Sequence, residues 1–181
     1  MSMRRPRDDE YAEFYCGYVG LVPEADVLTV LAGQTQMLRD LVARVPAGRE
    51  TFRYGPGKWS IREVIGHIGD AERVFGYRAF CISRGEQASL PAFDENAYIK
   101  ESGYDRRPAS ELVELFASLR AANLAELRAI GPDVWDRIGK ANRTPVSVRA
   151  LAFILAGHVR HHCDILRNRY ELTRAPAATP S

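Results

Sequence analysis

The run Gly157-His158-Val159-Arg160-His161-His162-Cys163-Asp164-Ile165-Leu166 holds three of the chain's four histidines. Read as helix, the apolar positions Val148, Leu151, Leu155 and Ile165 advance in steps of three and four, and His158 and His162 fall on the same series. Burying a polar ring without a partner costs free energy, so a helix with this pattern must pack against an element that supplies one. Side chains four apart stand one turn above each other, so His158 and His162 can reach a common point, the first half of a metal site. His161 lies about 80° to 100° around the helix, at ~100° per residue, and borders that point without facing it. The two rings also fit a simpler description, core histidines each hydrogen-bonded to its own neighbour. A third ligand is needed to separate the two.

Three further segments carry helical patterning. The first runs from Pro23 to Val45 through Leu28, Leu31, Thr35, Leu38 and Val42, and Pro46 and Gly48 stop it. The turn Gly55-Pro56-Gly57-Lys58 precedes the second, from about Ile61 to Arg84, which Ser60 and Glu63 open as a capping box. Gly57-Lys58 does not belong to a phosphate loop, because Phe52 stands where that loop needs glycine and Trp59 where it needs a hydroxyl. In the second helix Val64, Ala71 and Val74 share a seam, with Ile68 and Phe75 beside it, and His67 falls inside that seam. His67 is the candidate third ligand. Glu63 and Asp70 sit one turn to either side of it, placed to orient or close a site, or to face solvent.

The third helix spans Pro108 to Ile130, with Leu112, Phe116, Leu119, Leu127 and Ile130 inward and Arg120 and Asn123 on the same face. Those two polar groups need partners, in a substrate pocket, in a structural hydrogen bond, or by a snorkelling Arg120. The fourth helix, capped by Thr144 or Ser147, ends near Tyr170. A short turn is expected around Val134 and Trp135. The connector from Gly85 to Arg107, with Asp94 and Tyr98, is long for a compact domain unless it crosses over or carries function, and it can carry the second and third helices in parallel. No period-two run predicts a strand. The expected fold is all-α, a four-helix bundle with a long crossover between helices two and three. The bundle occupies residues 23–172, preceded by an aromatic-rich extension (1–22) that packs as a lid or brace and followed by a disordered tail (173–181).

At 181 residues, 46% hydrophobic and 27% charged, the chain suits one globular domain. A net charge of +2 argues against a nucleic-acid partner, and the basic run Arg4, Arg5 and Arg7 reads as a solvated tail. No stretch reaches the roughly 18 apolar residues of a membrane span, nor does the N-terminus show a secretory signal, so a cytoplasmic location is expected. Cys16, Cys81 and Cys163 lack the spacing of a zinc site or disulfide framework and read as packing residues.

Three neutral imidazoles suit zinc, nickel or iron(II), and a site with three protein ligands leaves a position open for water or substrate. The run from Gly57 through Trp59, Ser60, Ile61, Arg62 and Glu63 to His67, followed by Asp70-Ala71-Glu72-Arg73, resembles the first signature of the DinB-like (damage-inducible) superfamily. The run from Gly157 to His162 resembles its second, and the likeness extends from about Tyr11 to Tyr170. The resemblance implies a four-helix bundle whose metal ligands are His67, His158 and His162. It also implies a metal-dependent transferase, isomerase or hydrolase acting on a small molecule, with mycothiol, bacillithiol or glutathione as co-substrate. From facing and placement alone, Asp70 is the candidate to orient His67, and Arg120, Asn123, Asp94 and Tyr98 are the candidates to contact substrate. The resemblance and the aromatic extension together suggest a homodimer. The alternatives are a non-catalytic metal-binding or stress-response module and a metal-free helical interaction domain.

Overall fold

Helix α6 (Val148–Arg169) is the axis of the molecule, because every residue from Val148 to Val159 is buried. A helix buried on all sides must be surrounded. Helices α1 (Cys16–Gly20), α2 (Val27–Val42) and α3 (Ile61–Ser83) pack against it, and α5 (Ala109–Ala129) closes the bundle against α2 and α3. This arrangement is a computed structural model that describes residues 4–172. The tail expected at 173–181 lies outside the described residues.

The four long helices fall where their patterning predicts them, and local capping sets their ends. Ser60 Oγ accepts from Glu63 N at 3.0 Å while Glu63 returns the bond to Ser60 N at 2.8 Å, the reciprocal capping box at the start of α3. Ser147, not Thr144, caps α6 by accepting from Ala150 N at 2.9 Å. Helix α2 begins later than expected, at Val27, because Asp26 accepts from Thr29 N and so takes the N-cap position. The crossover between α3 and α5 contains strand β1 (Ser89–Leu90), helix α4 (Glu95–Ser102) and a 3-10 turn at Tyr104–Arg106. A second 3-10 turn, Pro132–Val134, sits beside the turn expected at Val134.

The expectation of no strands is corrected. Among the described residues β1 pairs in parallel with β2 (Ile138–Ala141), which pairs antiparallel with β3 (Thr144–Ser147), in the register Ile138↔Ser147 to Ala141↔Thr144. The pattern hid these strands because it is inverted. The inward positions of β2 are Gly139 and Ala141, while Ile138 and Lys140 point out. Asn142 and Arg143, both at positive φ, make the two-residue hairpin turn without the glycine that usually announces it.

A second correction concerns the basic N-terminus, which is tied down instead of solvated. Arg4 bonds both Glu10 and Asp136, and Arg5 donates to the carbonyl of Val19 at 3.1 Å. Glu10, 1% exposed, accepts from Arg149 and from the hydroxyl of Ser147, the residue that caps α6. Burial alone would raise the Glu10 carboxyl, but Arg149, Ser147 and Arg4 outweigh it and hold the group at about 2. From this anchor the chain runs to α1, whose Tyr18 carbonyl lies against Gly157. A Cβ at 157 would fall 1.9 Å from that oxygen, so only glycine permits the contact.

The bundle's interior holds a second buried ion pair. Arg120, 1% exposed, grips Glu72 through Nε (2.9 Å) and Nη2 (2.7 Å) and donates from Nη1 to Leu31 O and Gln34 Oε1. Asn123 donates to the Glu72 side chain at 2.7 Å, and Gln34 donates to the carbonyl of Ala156 at 2.7 Å.

Two outcomes follow for stability. Arg120→Met strands the Glu72 carboxylate in the core and should cost about 3–5 kcal/mol in urea unfolding, with part of the loss recovered in the Arg120→Met/Glu72→Met pair. A double variant as unstable as the single would contradict this account. Glu10 contributes stability as a carboxylate above its ordinary value of 4.5 and loses that contribution as pH falls toward about 2. Acid unfolding of Glu10→Gln should therefore be flatter than wild type across that interval, and parallel curves would rule out the pairing.

Candidate metal centre

Three helical positions converge on one point. His67 comes from the buried seam of α3, and His158 and His162 come from consecutive turns of α6. They are 5%, 4% and 7% exposed, and one ring nitrogen from each lies within 4.8 Å of the other two. The Nε2 atoms of His67 and His158 face each other at 3.0 Å. Two like nitrogens this close share one proton or one cation.

The surroundings fix the protonation state. Burial pushes the His67 imidazolium down to about 4, with His161 adding to the shift. Burial likewise drives His158 and His162 well below the usual range, helped by the neighbouring imidazoles. All three rings are neutral near pH 7, with lone pairs free to bind a cation. The Nδ1 atoms of His67 and His162 are buried without a hydrogen-bond partner among the described residues. Aromatic faces orient the rings instead. Phe93, from the crossover, stacks on His67 with planes 8° apart, and Trp59 lies 4.7 Å from the same ring and stacks on His162. Phe75 and Tyr18 approach His158 edge-on at 5.9 and 5.4 Å.

Among the described residues no other His, Cys, Asp or Glu joins the three histidines. A donor set of three neutral nitrogens, preformed and buried, fits a divalent ion that keeps a coordination position for water or substrate. Glu63 is engaged by Ser60 and Arg53, and Asp70 accepts from the Tyr104 hydroxyl at 2.6 Å. His161 is only half-buried and packs edge-on against Tyr18 and His162. Arg120 and Asn123 are directed to Glu72. Asp94 caps α4 by accepting from Ala97 N at 3.0 Å, and Tyr98 is half-exposed, edge-on to Phe93.

A cleft of about 200 Å³ leads from the surface to His162 between Tyr54, Lys58, Trp59, Asn96 and Tyr170. Its lining includes Lys58 and Asn96, two residues that the sequence pattern does not single out as candidates. Gly57-Lys58 was recognisable as a turn, and nothing in the spacing ties that turn to Asn96 in α4 or to the end of α6.

Comparison with known proteins agrees with this architecture. The sequence model of the DinB superfamily matches residues 31–166. No curated protein matches the sequence. Among solved structures the chain is similar to YfiT from Bacillus subtilis, described as a probable metal-dependent hydrolase with an unusual four-helix bundle topology. The TM-score is 0.73 at 18% identity, over 95% of this chain and 93% of that one. It is also similar to the mycothiol-dependent maleylpyruvate isomerase, with a TM-score of 0.64 at 15% identity over 81% of this chain and 61% of that longer one. At these identities the two structures speak for the fold. With the family match across most of its length, the chain belongs to the DinB superfamily.

Proposed function

We propose that His67, His158 and His162 hold a divalent cation (zinc, nickel or iron(II)) and that the protein is a metal-dependent enzyme acting on a small molecule. The observation that carries this reading is the convergence of three buried, neutral imidazoles on one point beside an open cleft. A structural zinc site closes its shell with four protein ligands, whereas a catalytic one keeps three and leaves a position free. When bound, the ion would act as a Lewis acid and lower the pKa of a water or thiol.

The chain's own residues do the rest. Trp59, Phe93, Phe75 and Tyr18 wall the imidazoles from solvent and hold their rings in place. The remaining access runs past Trp59 to His162. The reaction class we favour is hydrolysis or isomerisation with a low-molecular-weight thiol, since one structural neighbour is described as a probable metal-dependent hydrolase and the other as a mycothiol-dependent isomerase, and transfer with such a thiol follows from the family resemblance. Asp70, hydrogen-bonded to Tyr104 one turn beyond His67, positions that part of α3 in this reading. No helix among the described residues is long and apolar enough to cross a membrane. Phe14 and Tyr77, 76% and 55% exposed, are aromatic surface of the kind that a second copy would cover, which is our ground for a homodimer.

Elemental analysis tests the ligands. His67→Ala, His158→Ala and His162→Ala should each lose stoichiometric metal, and His161→Ala should keep it. Metal at 100 times its dissociation constant stabilises the folded state by about 2.7 kcal/mol, so chelation should lower the melting temperature of wild type and His161→Ala by roughly 5–10 °C. The three ligand variants should barely respond. Retention of metal by His162→Ala with loss from His161→Ala would overturn the assignment. For the reaction, metal-loaded protein should turn over an ester or an electrophile, the latter with mycothiol, bacillithiol or glutathione. Inactivity toward all of them would remove these classes while leaving the metal result intact.

A further inference from the structure

The cleft that reaches His162 has a polarity of its own. Its wall is aromatic and aliphatic: Tyr54, Trp59, Ile165 and Tyr170. Its polar lining besides His162 comes from Lys58 and Asn96, and no acidic side chain lines it. Among the described residues Lys58 forms no ion pair, and neither its ammonium nor the Asn96 amide makes a side-chain hydrogen bond. The charged and backbone groups beside them are taken, while the Tyr54 hydroxyl and the Trp59 indole N–H remain as further neutral donors. Arg53 is held by Glu63 and Asp105, Tyr170 donates its hydroxyl to the carbonyl of Trp59 at 2.6 Å, and the first three amides of α3, Ile61, Arg62 and Glu63, donate to Phe52 O, Glu50 O and Ser60 Oγ.

Lys58 is held where it can act. Gly57 at φ +69° turns the chain so that Lys58 emerges at the cleft rim, with its ammonium 5.9 Å over the ring of Tyr54. The turn is fixed from below by the Lys58 N–H bond to Gly55 O and by Arg53, which donates to the Lys58 carbonyl at 3.1 Å. Asn96 arrives from α4, so the crossover supplies the second polar group. A lone cation and an amide donor above a flat aromatic wall suit one negative charge on a planar apolar body. The volume of about 200 Å³ lies below the ~300 Å³ at which pockets for drug-sized ligands begin, so the ligand is small. A phosphate would want more positive charge or free helix-terminal amides, and those of α3 are already bonded to Phe52, Glu50 and Ser60.

We infer that this cleft selects a small organic carboxylate, with Lys58 and Asn96 gripping the carboxylate, the body lying against Trp59 and Tyr54, and the far end lying at His162. The inference rests on the reading of the three histidines as the reaction centre, and it makes Lys58 a specificity-determining residue at some remove from them.

Trp59 reports occupancy directly, because the only other tryptophan, Trp135, is buried in the opposite half of the core and gives a constant background. Fluorescence titration of metal-loaded protein with benzoate, its uncharged isostere benzamide, and phenyl phosphate tests the idea. Benzoate should bind tightest. Lys58→Met should weaken benzoate at least about tenfold and leave benzamide unchanged, while Lys58→Arg restores most of the affinity. Lys58 is exposed in a turn, so the variants should fold and carry wild-type metal by elemental analysis. Equal benzoate affinity in wild type and Lys58→Met, or benzamide binding as tightly as benzoate, would overturn the inference, and tighter Lys58-dependent binding of phenyl phosphate would overturn the choice of carboxylate. The same titration on metal-stripped protein and on His67→Ala separates the two readings. Lys58-dependent benzoate binding in a protein that never holds metal would sustain the cleft and sink the metal centre. Stoichiometric metal without any Lys58 dependence would do the reverse.

Discussion

The pair Glu72–Arg120 sets the spacing of the bundle, because it is the point at which α2, α3, α5 and α6 share one set of hydrogen bonds. Arg120 of α5 reaches Glu72 of α3 and Gln34 of α2, and Gln34 passes the connection to Ala156 of α6. Apolar helix faces tolerate sliding by a fraction of a turn. A buried charge pair with bidentate geometry does not, since any slip leaves an ion without its partner at low dielectric. Glu72 lies little more than one turn past His67, and Ala156 lies just before His158. The same bonds that close the core therefore fix the height of one imidazole against the other two.

The two buried polar clusters of the interior obey opposite electrostatics. Around Glu72 a carboxylate meets a guanidinium and neutral donors at hydrogen-bond distance. Around His67 charge is refused, because each imidazole faces two more imidazoles and a ring of aromatic faces, and burial removes the water that would hydrate a proton. What results is three neutral imidazoles at neutral pH, the protonation state that the proposed cation would require. Arg120 lies close enough to depress His158 slightly further, so the charged cluster reinforces the neutral one.

Much of this could be read from the chain. Period, caps and breakers located all four long helices, and the placement of His67, His158 and His162 on inward seams anticipated their convergence. The features that escaped are those in which residue type and environment disagree. Glycine and alanine face inward in β2 while isoleucine faces out, so alternation could not reveal the strand. Arg4 and Arg5 look like a solvated tail until Glu10 is seen buried beneath α6. Arg120 and Asn123 were visible as polar groups on a core face, but their partner Glu72 looks like an ordinary exposed acid of α3. Lys58 and Asn96 lie far apart in sequence, and only the path of the crossover brings them to one cleft.

That path is unusually well moored for a connector of its length. At its start β1 pairs with the hairpin and Arg78 donates to the carbonyl of Pro91; at its end Asp105 is held by Ser60, Arg53 and Arg62. Between these moorings it carries Phe93, which covers His67, and Asn96, which lines the cleft. A segment clamped at both ends transmits displacement instead of absorbing it. The hairpin β2–β3 thus acts as a distant adjusting screw, since an insertion or a bulkier residue there would move β1, tilt α4, and alter the width of the entrance to the histidines without touching any residue that lines it.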